Sequence, residues 1–472
     1  MRLDTLVGRL AELEVALPAG GATTEITSVV HDTRAVTDGA LFCCVPGSRV
    51  DGHDLAADAV ARGATALLVE RSVEPAVPTM RVASVRSAMG PVADAFWDHP
   101  SRRLAVVGVT GTSGKTTTTH LLGAIGAAAG WPTEVIGTLS GPRTTPEAPE
   151  LQAMLAHAVA RGCRAVAMEV SSHALALERV RATRFAVAVF TNLSQDHLDF
   201  HRDMEDYFAA KALLFDPAYA DAAVVNLDDP RGRWLLERAT VPTEGFRLAD
   251  ADELEVGVVS SRFRWRGQAV ELPFGGRFNV SNALAAATAA ARLGIDAEQI
   301  AAGLSSATRV PGRFEAITEG QPFAVLVDYS HKPGALASAL ESAREAAVGG
   351  RLLLVFGAGG DRDASKRPQM GEVAARLADR VLLTSDNPRG EDPLAIIDAI
   401  RSGMPDTRGL TVEPDRGAAI RTAIAEAEPG DVVVIAGKGH ETVQIVGDVQ
   451  LPFDDRAVAV DALRALRGER GW

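Results

Sequence analysis

The feature that most constrains the fold of this chain is a repeated alternation of short apolar segments with alanine-rich helical segments. Ala64–Val69, residues 104–109 and Val432–Ala436 have the length and the continuous apolar character of strands that are buried on both faces. Helical patterns such as residues 279–293 lie between such segments. The alternation predicts an α/β fold with largely parallel sheets.

The length of the chain indicates several domains. A chain of 472 residues is too long for one ordinary hydrophobic core. The apolar pattern is interrupted at His99-Pro100-Ser101 and again at Val310-Pro-Gly-Arg313. We therefore expect three α/β domains, with boundaries at 1–100, 101–312 and 313–472.

The net charge limits the kinds of binding partner that the protein can have, and the cysteine content indicates its compartment. The net charge is −13, which disfavours nucleic acid and anionic membrane surfaces as partners. Cys43, Cys44 and Cys163 lack the spacing of a metal site, so we expect them to be small, buried, apolar side chains. So few cysteines in a long chain also suggest a reducing compartment. No apolar stretch of signal-peptide or membrane-span type is present. These features predict a soluble, cytoplasmic protein that acts on small molecules.

A phosphate-binding loop is the clearest chemical motif. The segment Gly108-Val-Thr-Gly-Thr-Ser-Gly-Lys-Thr-Thr117 follows a predicted strand and opens a helix, although Val109 replaces the first glycine of a strict Walker A motif. Backbone N–H groups and a lysine in such a loop face the phosphates of a nucleotide. The alternative is a glycine-rich turn with an exposed lysine, which the Gly-Lys-Thr ending disfavours. The candidate nucleotide-binding residues are Gly111, Thr112, Ser113, Gly114, Lys115, Thr116 and Thr117.

Two further polar groups follow predicted strands. Glu169 and His197 each come after a buried apolar run, and the carboxyl ends of parallel strands meet at one crevice. With Thr116 they could hold Mg²⁺, which prefers oxygen ligands; the alternative is an ordinary surface contact. Asp196, Asp199 and His201 could be ligands or could orient their loop. Lys211 lies in an apolar helix, where a lysine normally extends to solvent.

Several motifs, in order along the chain, resemble the Mur ligase family. They are Thr110-Gly-Thr-Ser-Gly-Lys-Thr, Glu169-Val-Ser-Ser-His-Ala-Leu, Thr191-Asn-Leu-Ser-Gln-Asp-His-Leu-Asp, Gly276-Arg-Phe-Asn-Val-Ser-Asn, Val310-Pro-Gly-Arg-Phe-Glu, Val327-Asp-Tyr-Ser-His-Lys-Pro and Ala436-Gly-Lys-Gly-His-Glu. Ser113 stands where the family usually has asparagine. The resemblance implies an N-terminal UDP-binding α/β unit, a central P-loop ATPase-type parallel sheet and a C-terminal Rossmann-like α/β unit.

The resemblance also implies roles for individual residues. Lys115, Glu169, His197 and Lys211 would be catalytic, and Lys211 would be carbamylated and hold Mg²⁺ with Thr116, Glu169 and His197. Asn282, Arg313 and Asp328 would bind ATP. Without the resemblance, Asn282 is interpreted as a helix-packing residue and Asp328 as the cap of a strand end.

A segment in the last third resembles the part of the family that adds meso-diaminopimelate. It is Asp386-Asn387-Pro388-Arg389, and the lysine-adding branch usually lacks this arginine. An arginine can hold the second carboxylate of diaminopimelate in a bidentate manner. The alternative for Arg389 is a turn arginine. The other residues that the resemblance implies in this pocket are Arg362, Gly437 and Glu441.

The UDP-linked substrate would lie between the first and second domains. By resemblance, the candidate contacts are Thr33, Ser48, Arg49, Val50, Thr144, Thr145, Ser171 and Arg179. Leu177 departs from the family, in which glutamine is common at this position, and we exclude it.

The implied reaction uses ATP and Mg²⁺ to join meso-diaminopimelate to UDP-N-acetylmuramoyl-L-alanyl-D-glutamate through an acyl phosphate, in peptidoglycan precursor synthesis. We expect a monomer whose third domain closes over the site. The alternatives are a lysine-adding ligase, a folylpolyglutamate synthetase and a nucleotide-binding regulator without catalysis.

Overall fold

A computed structural model describes residues 1–10, 23–47, 50–74, 77–347 and 349–470. The predicted α/β class is confirmed, because three mainly parallel sheets follow one another along the chain. The candidates Ser48 and Arg49 lie outside the described residues.

The first sheet has the order β1-β2-β3-β4 with parallel pairing throughout. Its buried side chains pack with α1 and α3 into one core. The elements are α1 (Leu3–Gly8), β1 (Ser28–Val30), β2 (Ala40–Cys43), α2 (Ala56–Ala61), β3 (Ala64–Val69), β4 (Thr79–Arg81) and α3 (Val85–Phe96).

The central sheet has the order β10-β9-β8-β5-β7-β6, again parallel. The strand that precedes the phosphate loop is flanked by the strands that end near Glu169 and before Thr191, so all three loops meet at one edge. The elements are β5 (Ala105–Thr110), α4 (Lys115–Ala128), β6 (Thr133–Ile136), α5 (Ala148–Ala160), β7 (Ala165–Glu169), α6 (Ser172–Ala176), β8 (Val187–Phe190), α7 (Met204–Ala212), β9 (Ala223–Asn226), α8 (Pro230–Glu237) and β10 (Thr243–Phe246).

A small antiparallel sheet, which the sequence pattern did not predict, interrupts the parallel arrangement. Its strands are β11 (Asp252–Val256), β12 (Ser261–Trp265) and β13 (Gln268–Leu272), followed by α9 (Arg277–Arg292) and α10 (Ala297–Ser305). Side chains of β12 alternate between buried and exposed positions, as its Ser-Arg-Phe-Arg-Trp sequence indicates. Phe263 and Trp265 join the core beside the small residues of α9.

The third sheet has the order β14-β15-β19-β16-β17-β18, in which only the short β14 pairs in antiparallel fashion among the described strands. A hairpin, β20-β21, follows it. The elements are β14 (Glu315–Ala316), β15 (Ala324–Asp328), α11 (Pro333–Ala346), β16 (Leu352–Phe356), α12 (Lys366–Leu377), β17 (Arg380–Leu383), α13 (Pro393–Arg401), β18 (Leu410–Val412), α14 (Arg416–Glu426), β19 (Val432–Ala436), β20 (Val443–Val446), β21 (Val449–Pro452) and α15 (Asp455–Arg470).

The cysteine prediction holds for two of three residues. Cys43 and Cys44 are buried, whereas Cys163, three residues after the end of α5, is partly buried and packs against the edge of the central core. Within the described residues, no helix combines the length and the apolar character that crossing a membrane requires.

Candidate active site

The phosphate loop between β5 and α4 depends on two glycines with positive φ. Gly111 has a φ of +147° and Gly114 a φ of +87°, conformations that side chains disfavour. A Cβ on Gly111 would collide with the Thr191 hydroxyl, and one on Gly114 with the Asn282 side chain. The loop therefore packs against β8 and α9 only because both positions lack a side chain.

The side chain of Lys115 packs against the backbone of the phosphate loop. Its Nζ donates hydrogen bonds to the carbonyl oxygens of Gly111, at 2.9 Å, and Thr112, at 3.0 Å. Burial lowers the pKa of Lys115 to about 8, and the positive charge of Lys332 adds to this effect. The alternative of an exposed turn lysine is wrong.

A polar cluster lies directly behind the loop. The Thr116 hydroxyl donates to Glu169 Oε1 at 3.0 Å and accepts from Arg313 Nη2 at 3.2 Å. The same Glu169 oxygen accepts from the backbone N–H of Thr138 at 2.8 Å. The guanidinium of Arg313 also lies over the Tyr329 ring, 4.4 Å from its centroid. Residues of the central sheet and of the third sheet thus meet at the first turn of α4.

His197 contacts its neighbour Asp196, and its role as a metal ligand stays a prediction. Its φ is +56°, and its Nε2 lies 2.8 Å from Asp196 Oδ2. Lys332 Nζ lies 2.5 Å from the same oxygen, and both side chains of this ion pair are about nine-tenths buried (11% and 10% exposed). Burial raises the pKa of Asp196, but Lys332 and His197 outweigh it and leave the pKa far below its usual range. Among the described residues, no hydrogen bond or ion pair joins His197 to Glu169.

Lys211 faces the phosphate loop and does not extend to solvent. The residue is 1% exposed, and its Nζ donates to the Gly111 carbonyl oxygen at 2.9 Å, the same oxygen that accepts from Lys115. Burial, together with the charges of Lys115 and Lys332, places the pKa of Lys211 well below its ordinary value. The expectation of a solvent-exposed lysine, which the sequence alone suggested, is wrong.

The donor chemistry behind the loop fits a hard cation. The Thr116 hydroxyl and the Glu169 carboxylate offer adjacent oxygen atoms, the ligand type that Mg²⁺ prefers. Within the described ranges, no group of three or more His, Cys, Asp or Glu residues is arranged to hold a metal ion. His201 hydrogen-bonds the Ser172 hydroxyl at 2.9 Å, a contact that orients its loop.

Asn282 and Asp328 have structural contacts of the kind expected without the family resemblance. Asn282 lies on the buried face of α9 against Gly114, and its Nδ2 lies 3.4 Å from Asn279 Oδ1. The Asp328 carboxylate accepts from the backbone N–H of Phe314 at 2.7 Å and of Ser330 at 2.9 Å. Burial raises the pKa of Asp328. Contact of either residue with a nucleotide stays a prediction.

A second polar cluster joins the first and central sheets. The Thr145 hydroxyl donates to the Glu169 carbonyl oxygen at 2.9 Å and accepts from the Ser171 N–H at 3.1 Å. Arg179 Nε lies 2.9 Å from one oxygen of Glu147, and Arg86 donates to the other oxygen at 2.7 Å. Sequence reasoning missed Glu147 and Arg86, since no local motif marks them.

The remaining candidate contacts of the UDP-linked substrate, Thr144, Thr33 and Val50, have fewer side-chain contacts. Thr144 contacts Thr138 through their hydroxyl groups at 3.1 Å. Thr33 lies in a short turn of helix that Asp32 caps, and Val50 is 55% exposed.

The acceptor candidates form a compact cluster after β17 and β19. Asn387 Nδ2 donates to Glu441 Oε2 at 2.8 Å, and Lys438 Nζ donates to that oxygen at 3.0 Å. Gly437 has a φ of +119°, and a Cβ added at this position would lie 2.5 Å from Asp386 Oδ2. Asn387, Asp386, Gly437 and Glu441 were predicted members of this cluster, whereas Lys438 was not predicted.

The two candidate arginines, Arg362 and Arg389, both lie next to Gly359. A Cβ on Gly359 would lie 2.9 Å from Arg389 Nη1 and 3.9 Å from Arg362 Cγ. Arg389 has a φ of +52°, and its backbone N–H donates to the Ile445 carbonyl oxygen at 3.0 Å. Pro388, just before it, is buried. The interpretation of Arg389 as an isolated turn arginine is therefore incomplete, because β20 fixes its backbone and its Nη1 donates to the Gly360 carbonyl oxygen at 2.8 Å.

The arrangement of a phosphate loop, a buried carboxylate and a third α/β unit over the same edge defines a class of ligase. The Mur ligase family, catalytic domain, matches residues 25–97; the Mur ligase middle domain matches 109–290; and the Mur ligase, glutamate ligase domain, matches 312–439. The chain belongs to the Mur ligase family.

Particular relatives are similar over their full length. The UDP-N-acetylmuramoyl-L-alanyl-D-glutamate–2,6-diaminopimelate ligase of Streptomyces coelicolor is 46% identical, with 97% of this chain and 96% of the relative covered. The ligase of the same name from Gloeobacter violaceus is 47% identical, with 99% of each covered. A solved structure of a ligase of that name superposes with a TM-score of 0.69 at 30% identity, covering 99% of this chain and 100% of that chain.

Proposed function

We propose that this chain is an ATP-dependent ligase that joins meso-2,6-diaminopimelate to UDP-N-acetylmuramoyl-L-alanyl-D-glutamate in peptidoglycan precursor synthesis. The observation that carries the proposal is the cluster of Arg389, Arg362, Asn387 and Glu441 at the strand ends of the third sheet. Guanidinium groups beside a carboxylate match an amino acid end that carries both a carboxylate and an ammonium. Full-length relatives that bear the name of this activity support it.

The first chemical step is phosphoryl transfer. An oxygen of the terminal D-glutamyl carboxylate attacks the γ-phosphorus of ATP, the bond to the β,γ-bridging oxygen breaks, and an acyl phosphate and ADP result. Lys115 and the N–H groups at the start of α4 offset the charge of the migrating group. Arg313, held against Thr116 and Tyr329, adds a second cation from the third unit. Asn282 and Asp328 are proposed contacts of the nucleoside.

Thr116, Glu169, His197 and a carbamylated Lys211 are the proposed holders of Mg²⁺. When bound, Mg²⁺ neutralises charge on the phosphate and carboxylate oxygens. The depressed pKa of Lys211 supports carbamylation, because the neutral amine is the form that adds to CO₂. The contact of His197 with Asp196 is made by Nε2, so Nδ1 is the nitrogen that would serve as the ligand.

The second step is amide formation. The amine of diaminopimelate attacks the carbonyl carbon of the acyl phosphate, the amine loses a proton, and the carbon–oxygen bond to phosphate breaks. Glu441 would pair with the ammonium at the far end of the amino acid, and the arginines with its carboxylate. Asp386, Pro388 and Gly437 shape the backbone around this end.

The UDP-linked end is proposed to lie toward the first sheet. Thr144, Thr145, Ser171 and Arg179 are its proposed contacts from the central unit, and Thr33 and Val50 those from the first unit. The cluster of Arg179, Glu147 and Arg86 supports this position, since it joins the two units beside Glu169. The proposed domain boundaries stay at 1–100, 101–312 and 313–472, and a monomer remains our expectation.

The test uses the purified chain with ATP, Mg²⁺, the UDP-linked dipeptide and a panel of amino acids. We expect ADP release that requires both the dipeptide and meso-diaminopimelate, and a product whose mass equals the dipeptide plus one diaminopimelate residue. Faster turnover with lysine would identify a lysine-adding ligase. Use of a folate in place of the dipeptide, or the absence of acceptor-dependent ADP release, would overturn the proposal.

A further inference from the structure

Lys438 is a buried cation that the proposed chemistry does not use. Its side chain is 0% exposed, and all three ammonium protons have acceptors. Nζ donates to Asn387 Oδ1 at 3.0 Å, to Glu441 Oε2 at 3.0 Å and to the Val443 carbonyl oxygen at 2.6 Å. A charge that is removed from water is retained only when it is fully paired, and this one joins three separate segments.

The contacts of Lys438 fix the orientation of Asn387. The amide oxygen of Asn387 accepts from Lys438 and also from the backbone N–H of Ile445 at 2.9 Å. The amide nitrogen must therefore point the other way, and it donates to Glu441 Oε2 at 2.8 Å. Lys438 and the Ile445 N–H together hold the amide of Asn387 in one orientation.

The same contacts leave one oxygen of Glu441 available. Oε2 receives hydrogen bonds from Asn387 and Lys438, whereas Oε1 accepts none from any described residue. The Glu441 side chain is 30% exposed, although its partner Lys438 is fully buried. One carboxylate oxygen is held in place, and the other can accept a hydrogen bond from a bound ammonium.

The charge of Lys438 also affects which amino acid fits. Lysine and diaminopimelate both carry a distal ammonium, but only diaminopimelate adds a carboxylate beside it. A cation 3.0 Å from Glu441 weakens the attraction of that carboxylate for any ammonium. The same cation attracts the added carboxylate of diaminopimelate, so lysine is disfavoured more than diaminopimelate. The charge of the buried Arg416 also interacts with Glu441, but Arg416 is paired with the opposite charge of Asp455, 2.7 Å away.

We propose that Lys438 is a positioning residue that sets acceptor selectivity. It holds Asn387 and Glu441 in position, with Glu441 Oε1 open to the incoming ammonium, and its charge disfavours an amino acid whose far end carries only an ammonium. The inference rests on the proposed function and extends it, because it assigns the choice between the two amino acids to a residue that contacts neither of them.

The experiment compares kcat/KM for meso-diaminopimelate and for L-lysine in the wild type, Lys438→Met and Lys438→Gln. Both variants remove the charge, and glutamine keeps a donor. We expect the diaminopimelate-to-lysine ratio to fall at least about tenfold in both variants, with the KM for ATP within about twofold of wild type. Thermal unfolding confirms that each variant is folded.

Asn387→Ala is the matched control, because it removes a hydrogen-bonding partner of Glu441 but leaves the charge of Lys438. Its activity with both acceptors should fall while the ratio stays within about threefold. Lys438 variants that lose activity equally with both acceptors, or that fail to fold while Asn387→Ala alone shifts the ratio, would overturn the inference. A wild-type enzyme that does not use meso-diaminopimelate would instead overturn the proposed function.

Discussion

At the residue scale, the most informative arrangement is the pair of lysines that share one carbonyl oxygen. Lys115 and Lys211 both donate to Gly111 at 2.9 Å, so their charges oppose each other in a buried setting. The sequence identified both residues, Lys115 from its loop and Lys211 from the family resemblance alone. It could not predict the shared acceptor, because helix α7 reaches the loop only through tertiary packing.

The pKa of Lys115 predicts how nucleotide affinity depends on pH. Because burial lowers this pKa to about 8, the ammonium is charged below pH 8 and loses its proton above it. Phosphates favour the charged form, so the Kd for ATP should be constant near pH 7 and rise by up to about tenfold per pH unit above pH 8. Titration calorimetry across this range measures it. Lys115→Arg should remove the inflection, and an unchanged inflection in that variant would assign it to another group.

Lys211 should react with CO₂. Its depressed pKa raises the fraction of neutral amine, which is the form that carbamate formation requires. Enzyme incubated with ¹³C-bicarbonate should show a carbamate carbon signal by NMR that is absent from Lys211→Met. A signal of equal size in the variant, or none in the wild type at any pH from 7 to 9, would contradict carbamylation.

At the element scale, function is concentrated in loops that follow parallel strands. The predicted strands Ala64–Val69 and Val432–Ala436 coincide with β3 and β19, because a continuous apolar run indicates burial on both faces. The β11–β13 sheet was not predicted, although buried and exposed side chains alternate along β12. This alternation is typical of a strand with one exposed face, and it differs from the continuous apolar runs of the parallel strands. The pairing of the 386–389 loop with β20 could not be predicted, because no local motif marks it.

Gly437 tests how closely these loops are packed. Its φ is +119°, and a Cβ would lie 2.5 Å from Asp386 Oδ2. Gly437→Ala should displace Asp386 and raise the KM for the acceptor at least about tenfold, since small displacements are costly in a binding site. Steady-state kinetics with varied diaminopimelate measures the effect.

Gly430→Ala is the matched control for that substitution. Gly430 has a similar positive φ of +87°, but its Cβ would meet no atom within 4 Å. The variant should lose about 1 kcal/mol of stability from backbone strain and keep its KM. Equal changes of KM in the two variants would show that backbone strain, and not contact with Asp386, is responsible.

At the scale of the whole molecule, the site is assembled from three units. Lys332 from the third unit pairs with Asp196 from the central unit, and Arg313 reaches Thr116 across the same gap. The family resemblance gave Arg313, but neither it nor the residue pattern identified Lys332, because ion pairs between distant segments leave no sequence signature. These contacts hold the third unit against the phosphate loop.

Removal of Lys332 should destabilise the contact between the central and third units. Lys332→Ala leaves Asp196 nearly buried with His197 as its remaining partner, a loss of about 3–5 kcal/mol for a buried pair. Arg277→Ala breaks an exposed pair between the same two units, with Glu345 at 2.9 Å, and should cost about 0–1 kcal/mol. Denaturant unfolding of both variants compares them, and equal shifts would contradict the account.

The central claim is that arginines at the strand ends of the third sheet recognise the extra carboxylate of the acceptor, and Arg389→Ala tests it most directly. Separate KM values for meso-diaminopimelate and for ATP should be measured in this variant. Loss of a charge-assisted pair predicts that kcat/KM for diaminopimelate falls by about tenfold to a hundredfold, while the KM for ATP changes by less than about threefold. Equal losses for both substrates would contradict the claim.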